Sequence, residues 1–118
     1  MSHLTLRMNH KKSKVNILLI GCGPHAKRIY VPLLSKFKSR VNIKCIVDIK
    51  EKEEDITSFL KSMGCKTYFI KKTHMTYEKL HPIVEKKLNE FVKRDNINGV
   101  IIATEPLTHV MYSKWASS

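Results

Sequence analysis

Four short apolar runs alternate with segments of helical periodicity, and this alternation restricts the fold more than any other feature of the sequence. The first run, VNILLI at 15–20, is apolar on both faces and stops at a glycine, which is typical of a buried parallel strand. Similar runs predict strands at 41–47, 67–70 and 100–103. Apolar spacing predicts helices at about 24–36, at about 51–63, in a long basic segment from residue 82, and at 109–116. The order βαβαβαβα predicts an α/β fold, a Rossmann-like doubly wound parallel sheet in three α/β/α layers, within a single domain.

The basic charge of the chain leaves two interpretations open. Lys and Arg number 22 against 10 Asp and Glu, a net charge of +12. Either an anionic partner or a solvated basic surface accounts for such an excess. Aromatic residues suited to base stacking are not interleaved with the basic residues, so nucleic acid is not the expected partner. Residues 1–13 are polar and aperiodic, and we expect a flexible basic leader before a domain at 14–118.

Cysteine usage and hydropathy bear on compartment and metal binding. Cys22, Cys45 and Cys65 are isolated and form no CxxC pair, which argues against a zinc site or a disulfide framework and favours the reducing cytoplasm. No apolar run approaches the roughly 20 residues that cross a bilayer, so no membrane partner is expected. His74 and His81 are seven residues apart without thiols or carboxylates nearby, and no metal site is predicted.

The sharpest local signal is GCGPHA at 21–26, a GxGxxA form of the dinucleotide fingerprint placed between a strand and a helix. Gly21 permits a tight turn, Gly23 lets backbone N–H groups approach a pyrophosphate, and Ala26 allows close packing of helix on sheet. The start of the helix adds partial positive charge. The alternative is an ordinary strand–helix turn. The predicted binding residues for NAD or NADP in this loop are Gly21, Gly23, Pro24, His25 and Ala26.

Two residues after the second predicted strand bear on the choice of cofactor. Asp48 ends that strand, where a carboxylate accepts hydrogen bonds from adenosine ribose hydroxyls. The alternative is a surface carboxylate at the start of a helix. Lys50 lies two residues further on and is suited to attract a 2′-phosphate. The sequence therefore leaves NAD and NADP both open.

Three segments together resemble the Gfo/Idh/MocA family of NAD(P)-dependent oxidoreductases. They are GCGPHAKRIYVPLL at 21–34, the strand ending in Asp48, and VIIATEPLTHVMYSKWA at 100–116, and the resemblance runs from about residue 14 to residue 115. Ala103, Thr104 and His109 match the family in type and spacing, and Glu105-Pro106 stands where Pro-Asn is common. The resemblance implies that Thr104, Glu105 and Pro106 line the nicotinamide end of the cofactor, with His109 near the pocket. Taken alone, Glu105 is equally compatible with an exposed loop carboxylate, and His109 with a capping or packing histidine.

The resemblance implies hydride transfer between a nicotinamide and a sugar-like or other small carbonyl or hydroxy substrate. The family's catalytic lysine belongs to a Lys-Pro motif on a following strand, which this sequence does not reach. We therefore expect no catalytic residue here, cofactor binding with little turnover, and contact with the small-molecule substrate only in a full-length protein. The alternative function is a non-catalytic nucleotide-sensing or scaffold module, which binds a partner or forms a homo-oligomer through an open sheet edge.

Overall fold

The architecture follows the predicted alternation of strands and helices. A computed structural model describes residues 3–5, 14–24, 26–37, 39–60 and 64–118, with the backbone alone for 3–5 and Ser35. The strands are β1 (His3–Thr5), β2 (Val15–Ile20), β3 (Val41–Ile49), β4 (Lys66–Ile70) and β5 (Gly99–Ile102). The α-helices are α1 (Val31–Lys36), α2 (Glu53–Leu60), α3 (Pro82–Arg94) and α4 (Pro106–Ala116).

The five strands form one sheet in the order β1-β5-β2-β3-β4. Strands β2 to β5 are parallel to one another. The chain moves outward from β2 through β3 to β4 and then returns to the opposite side of β2 as β5. The strand order therefore reverses between β2 and β5, and in doubly wound sheets ligands bind at the carboxyl ends of the strands flanking that point.

Helices cover both faces of the sheet, which confirms the three-layer α/β prediction. Alternate residues of each strand point to opposite faces. One face buries Leu18 and Ile20 against α3 and α4, and the other buries Ile17 and Leu19 against α1 and α2. The helices contribute Leu88, Met111, Val31 and Ile56 to these two cores. Because both faces of β2 are covered, its run of apolar residues is explained.

The helix after the glycine loop is irregular before Pro32, where the sequence predicts a kink or an early end. Ala26–Tyr30 is a π-helical turn, and a regular α-helix continues to Lys36. Proline has no N–H to offer the carbonyl four residues earlier, and its ring crowds that carbonyl. A wider turn just before the proline relieves this conflict.

Two predictions of local structure require correction. Residues 3–5 of the expected flexible leader form β1, which pairs antiparallel with β5, with His3 opposite Ile102. Side-chain patterning cannot reveal such a strand, because an open sheet edge recruits backbone N–H and C=O groups. Helix α4 begins three residues before the predicted start, because Pro106 suits the first helical position. Residues 1–2, 6–13 and 61–63, which belong to the predicted leader and second helix, lie outside the described residues.

Candidate functional site

Two loops touch at the point where the strand order reverses. Gly21 follows β2, and Ala103 follows β5. Gly21 has a φ of +93°, and a Cβ atom there would lie 2.8 Å from the Ala103 carbonyl oxygen. The Gly21 N–H donates to the Val47 carbonyl at 2.7 Å, and the Ala103 N–H donates to Ile20 at 2.8 Å. Only glycine meets both the conformational and the spatial requirement at position 21.

A cavity of about 180 Å³ opens beside these loops at the carboxyl end of the sheet. Its apolar wall includes Ile70, Leu80, Val84 and Met111, and its polar lining includes Asp48, Lys52, Thr104, Glu105 and Tyr112. Pockets for drug-sized ligands measure roughly 300–1,000 Å³. The cavity therefore accommodates one ring system of a larger ligand, and the remainder of that ligand would lie along the loops.

Asp48 lies near the end of β3 and connects that strand to the glycine loop. Its side chain is buried, with the residue only 9% exposed. Oδ2 accepts the Cys22 N–H at 2.7 Å, and Oδ1 accepts the Ile49 N–H at 2.7 Å. A carboxylate has about four lone-pair sites, so each oxygen retains acceptor capacity. Asp48 thus positions the loop and can still accept hydrogen bonds from ribose hydroxyls.

The neighbours of Asp48 are held in their neutral forms. Burial raises the pKa of the Cys22 thiol to about 11, and the Asp48 charge adds to that effect. Burial likewise raises the pKa of the Tyr112 hydroxyl to about 12, with further contributions from Asp48 and Tyr68. Cys22 is therefore a protonated thiol that fills the turn, and it lacks the thiolate character of a reactive cysteine.

The two lysines that follow Asp48 occupy different places. Lys50 forms an ion pair with Glu53 and does not line the cavity. Lys52 does line it, and its Nζ lies 3.6 Å from the position of a Cβ atom on Gly23. A 3₁₀ turn at Lys50–Lys52 separates them, and with three residues per turn, side chains two apart point in different directions. Of these two lysines, Lys52 is therefore the one beside the loop, and the sequence pattern did not single it out.

The residues after β5 divide between the cavity and the start of α4. Thr104 lines the cavity, and its buried Oγ1 has no hydrogen-bond partner among the described residues. Glu105 lies exposed at the rim, and its carbonyl accepts the N–H of His109 at 3.0 Å. Pro106 and His109 do not line the cavity, and His109 Nδ1 lies 3.4 Å from Ser113 Oγ.

Pro24 and Ala26, two further residues of the glycine motif, do not line the cavity. Pro24 is exposed beside the loop. Ala26 is 1% exposed and packs in the core beneath α1 and α2, as close approach of helix and sheet requires. His25 lies outside the described residues. Among the predicted site residues, the structure brings Gly21, Gly23, Asp48, Thr104 and Glu105 together around the cavity.

Sequence reasoning also missed one wall of the cavity. The segment between β4 and α3 contributes His74, Met75, Thr76 and Tyr77. No motif marks this segment, so only the folded chain reveals its position. The rings of His74 and His81 contact each other, tilted by 33° with centroids 4.6 Å apart, and His81 Nδ1 accepts the Ile83 N–H at the start of α3.

Within the part of the chain that the structure describes, no three His, Cys, Asp or Glu side chains are grouped to hold a metal ion. None of the helices in those same ranges has the length and apolar character that crossing a bilayer demands. No protein-family model matches the sequence, and no curated protein or solved structure is significantly similar to it.

Proposed function

We propose that this chain binds NAD or NADP as the nucleotide-binding domain of an oxidoreductase of the Gfo/Idh/MocA type. The intact enzyme would act on a sugar-like or other small carbonyl or hydroxy substrate. One observation carries the proposal. The glycine loop after β2 meets the Thr104–Glu105 loop after β5 where the strand order reverses, and the cavity opens at that point. Doubly wound sheets bind nucleotides in this position.

The lining residues suggest how the cofactor would be held. The pyrophosphate would lie over Gly23, where no side chain intervenes, with the Lys52 ammonium beside it. Backbone N–H groups and a lysine are the usual partners of phosphate oxygens. Asp48 would accept the ribose hydroxyls, and the unpartnered Thr104 Oγ1 offers a hydrogen bond to the nicotinamide end.

In this proposal the cofactor and the chain have separate roles in the reaction. When bound, the nicotinamide supplies or accepts the hydride, and the residues of this chain bind and orient it. We assign no general acid or base to the chain and expect little or no turnover by the domain alone. The proposal includes a cytoplasmic location, which the three free thiols support.

Calorimetric titration with NADH and then NADPH, each at two salt concentrations, tests the proposal. We expect saturable binding to one site for at least one cofactor. Binding of neither cofactor by the folded chain would contradict the proposal. Binding that vanishes at high salt and shows no saturation would instead indicate attraction between the +12 chain and any polyanion.

The Gly23→Asp variant is the matched control for that titration. Among the described residues beyond its chain neighbours, the atom nearest to a Cβ at this position is Lys52 Nζ at 3.6 Å, so we expect the fold to tolerate the new side chain. We expect the free energy of unfolding to change by no more than about 0.5 kcal/mol. Cofactor binding should nevertheless be lost, because the carboxylate occupies the path of the pyrophosphate and repels it. Unchanged affinity would place the cofactor elsewhere.

A further inference from the structure

The loop between β4 and α3 is closed by a contact between two histidine rings. His74 lines the cavity, and His81 is the N-cap residue of α3. Their ring centroids lie 4.6 Å apart. Residues 75–80 run between them, and four of these residues line the cavity: Met75, Thr76, Tyr77 and Leu80. The ring contact therefore joins the two ends of a loop that forms one wall of the cavity.

His81 is bound to the start of α3 in a way that requires a neutral ring. Pro82 occupies the first helical position and has no N–H, so Ile83 presents the first N–H that needs a partner. This N–H donates to His81 Nδ1 at 3.1 Å. Nδ1 accepts a hydrogen bond only while it carries no proton, because both ring nitrogens are donors in the imidazolium form. Protonation of His81 therefore removes this hydrogen bond and leaves the Ile83 N–H without its cap.

Protonation of the ring pair is also opposed by charge. Within the described residues, neither His74 nor His81 pairs with a carboxylate. A charge on either ring disfavours a charge on the other, because like charges this close repel one another. The positive end of the α3 dipole lies at His81 and opposes an imidazolium there as well. The neutral forms of both rings are therefore the ones that these contacts require.

The remaining charged groups around the pair are of both signs. Those on the same loop and on the first turn of α3 are exposed: Lys71, Lys72, Glu78, Lys79 and Glu85. The groups that line the cavity with His74 are Asp48 of β3, Lys52 of the following turn, Glu105 before α4, and the hydroxyls of Tyr77 and Tyr112. Asp48 already accepts two backbone N–H groups. We therefore expect these groups to offset little of the repulsion between two imidazolium rings.

We propose that His81 is a positioning residue for the cavity, whose neutral ring caps α3 and holds His74 in the cavity wall, so that acid weakens ligand binding. Histidine changes charge between about pH 5 and 8. Contacts that need the neutral rings are complete at the upper end of this interval and are lost as pH falls through it. His81 lies between Leu80 and Val84 in the sequence, and both line the cavity, so loss of the cap alters the wall. The ligand is the cofactor of the proposed function, on which the binding part of this inference rests.

Calorimetric titration of the full chain with NAD⁺ and NADP⁺, which are stable in acid, tests the binding consequence at about pH 8 and about pH 5.5. We expect the wild type to bind about fivefold more weakly at the lower pH, the effect of one lost cap. Asparagine also caps helices but does not titrate, so His81→Asn should bind equally well at both pH values. His81→Ala has neither cap nor charge and should bind at the higher pH as weakly as the wild type binds at the lower. A His81→Asn variant with the pH dependence of the wild type would overturn the proposal.

Amide and histidine-ring chemical shifts of the free chain, followed over the same pH interval, test the wall without any ligand. We expect the amides of Ile83 and residues 75–77 to shift together with the two rings, and the shift at Ile83 to be absent in His81→Asn. Rings that titrate while these amides stay fixed would overturn the proposal. Thermal unfolding at both pH values shows that each variant is folded. Binding of neither cofactor at any pH would contradict the proposed function, and the shifts of the free chain would then decide the role of His81 alone.

Discussion

The polar groups at the two ends of the parallel sheet differ in how fully their hydrogen bonds are satisfied by other described residues. At the amino end, Asn98 Oδ1 accepts the Asn16 N–H at 2.7 Å, and the Asn98 N–H donates to the Asn16 carbonyl at 3.0 Å. Lys66 and Asp95 form an ion pair nearby at 2.8 Å. At the carboxyl end, Thr104 Oγ1 is buried beside a cavity and has no hydrogen-bond partner in the described part of the chain.

This difference separates stability from binding. The groups at the amino end hydrogen-bond or pair with one another, so we expect them to contribute mainly to stability. The carboxyl end leaves acceptor capacity on Asp48 and an unpartnered hydroxyl on Thr104, and such groups are costly unless a ligand or water completes their hydrogen bonds. Substitutions at the two ends should therefore have separable effects.

The largest effect is expected at Gly21. The separation between a stabilising end and a binding end does not hold for this residue, because both the stability of the fold and cofactor binding depend on it. Gly21→Ala combines an unfavourable φ with a Cβ atom 2.8 Å from the Ala103 carbonyl oxygen. We expect a loss of about 2–4 kcal/mol in the free energy of unfolding, measured by urea denaturation. A variant as stable as the wild type would show that the two loops do not touch as described.

Asn98→Ala at the amino end should cost about 1–2 kcal/mol, because it leaves the Asn16 N–H without its acceptor. Chemical denaturation measures the loss, and calorimetry with NADH should show unchanged affinity. Reduced affinity in a folded Asn98→Ala variant would show that the two ends are coupled.

Lys52→Gln should weaken NADH binding about fivefold with little change in stability, as expected for one exposed charge beside a phosphate. Lys50→Gln is its matched control, since Lys50 pairs with Glu53 and lies outside the cavity lining. Equal losses in the two variants would assign the effect to overall charge.

The smallest effect concerns alkaline pH. The pKa of Cys22 is about 11 in the fold against an ordinary value of 9.0, so folding favours the protonated thiol. Its contribution to stability is complete below pH 9 and is lost as pH rises through 11. Thermal unfolding of wild type and Cys22→Ala should therefore converge or cross in this interval, with parallel curves below it. Parallel curves throughout would contradict the burial of this thiol.

The sequence predicted the sheet because its strands are apolar on both faces, and it predicted the glycine loop because a tight turn restricts residue type. It selected Lys50 rather than Lys52, since only the 3₁₀ turn determines which lysine points to the loop. It missed β1, because that strand depends on backbone pairing with β5. It also missed the wall from His74 to Tyr77, whose position depends on packing against α4 across a long separation in sequence.

The most direct test of the separation between the two ends is a titration of the isotope-labelled chain with NADH, followed by amide chemical shifts. We predict saturable shifts concentrated at Gly21–Gly23, Asp48 and Thr104–Glu105, with the amides of Asn16 and Asn98 unmoved. Shifts centred on the amino end, or spread over the exposed lysines without saturation, would contradict a nucleotide site at the carboxyl end of the sheet.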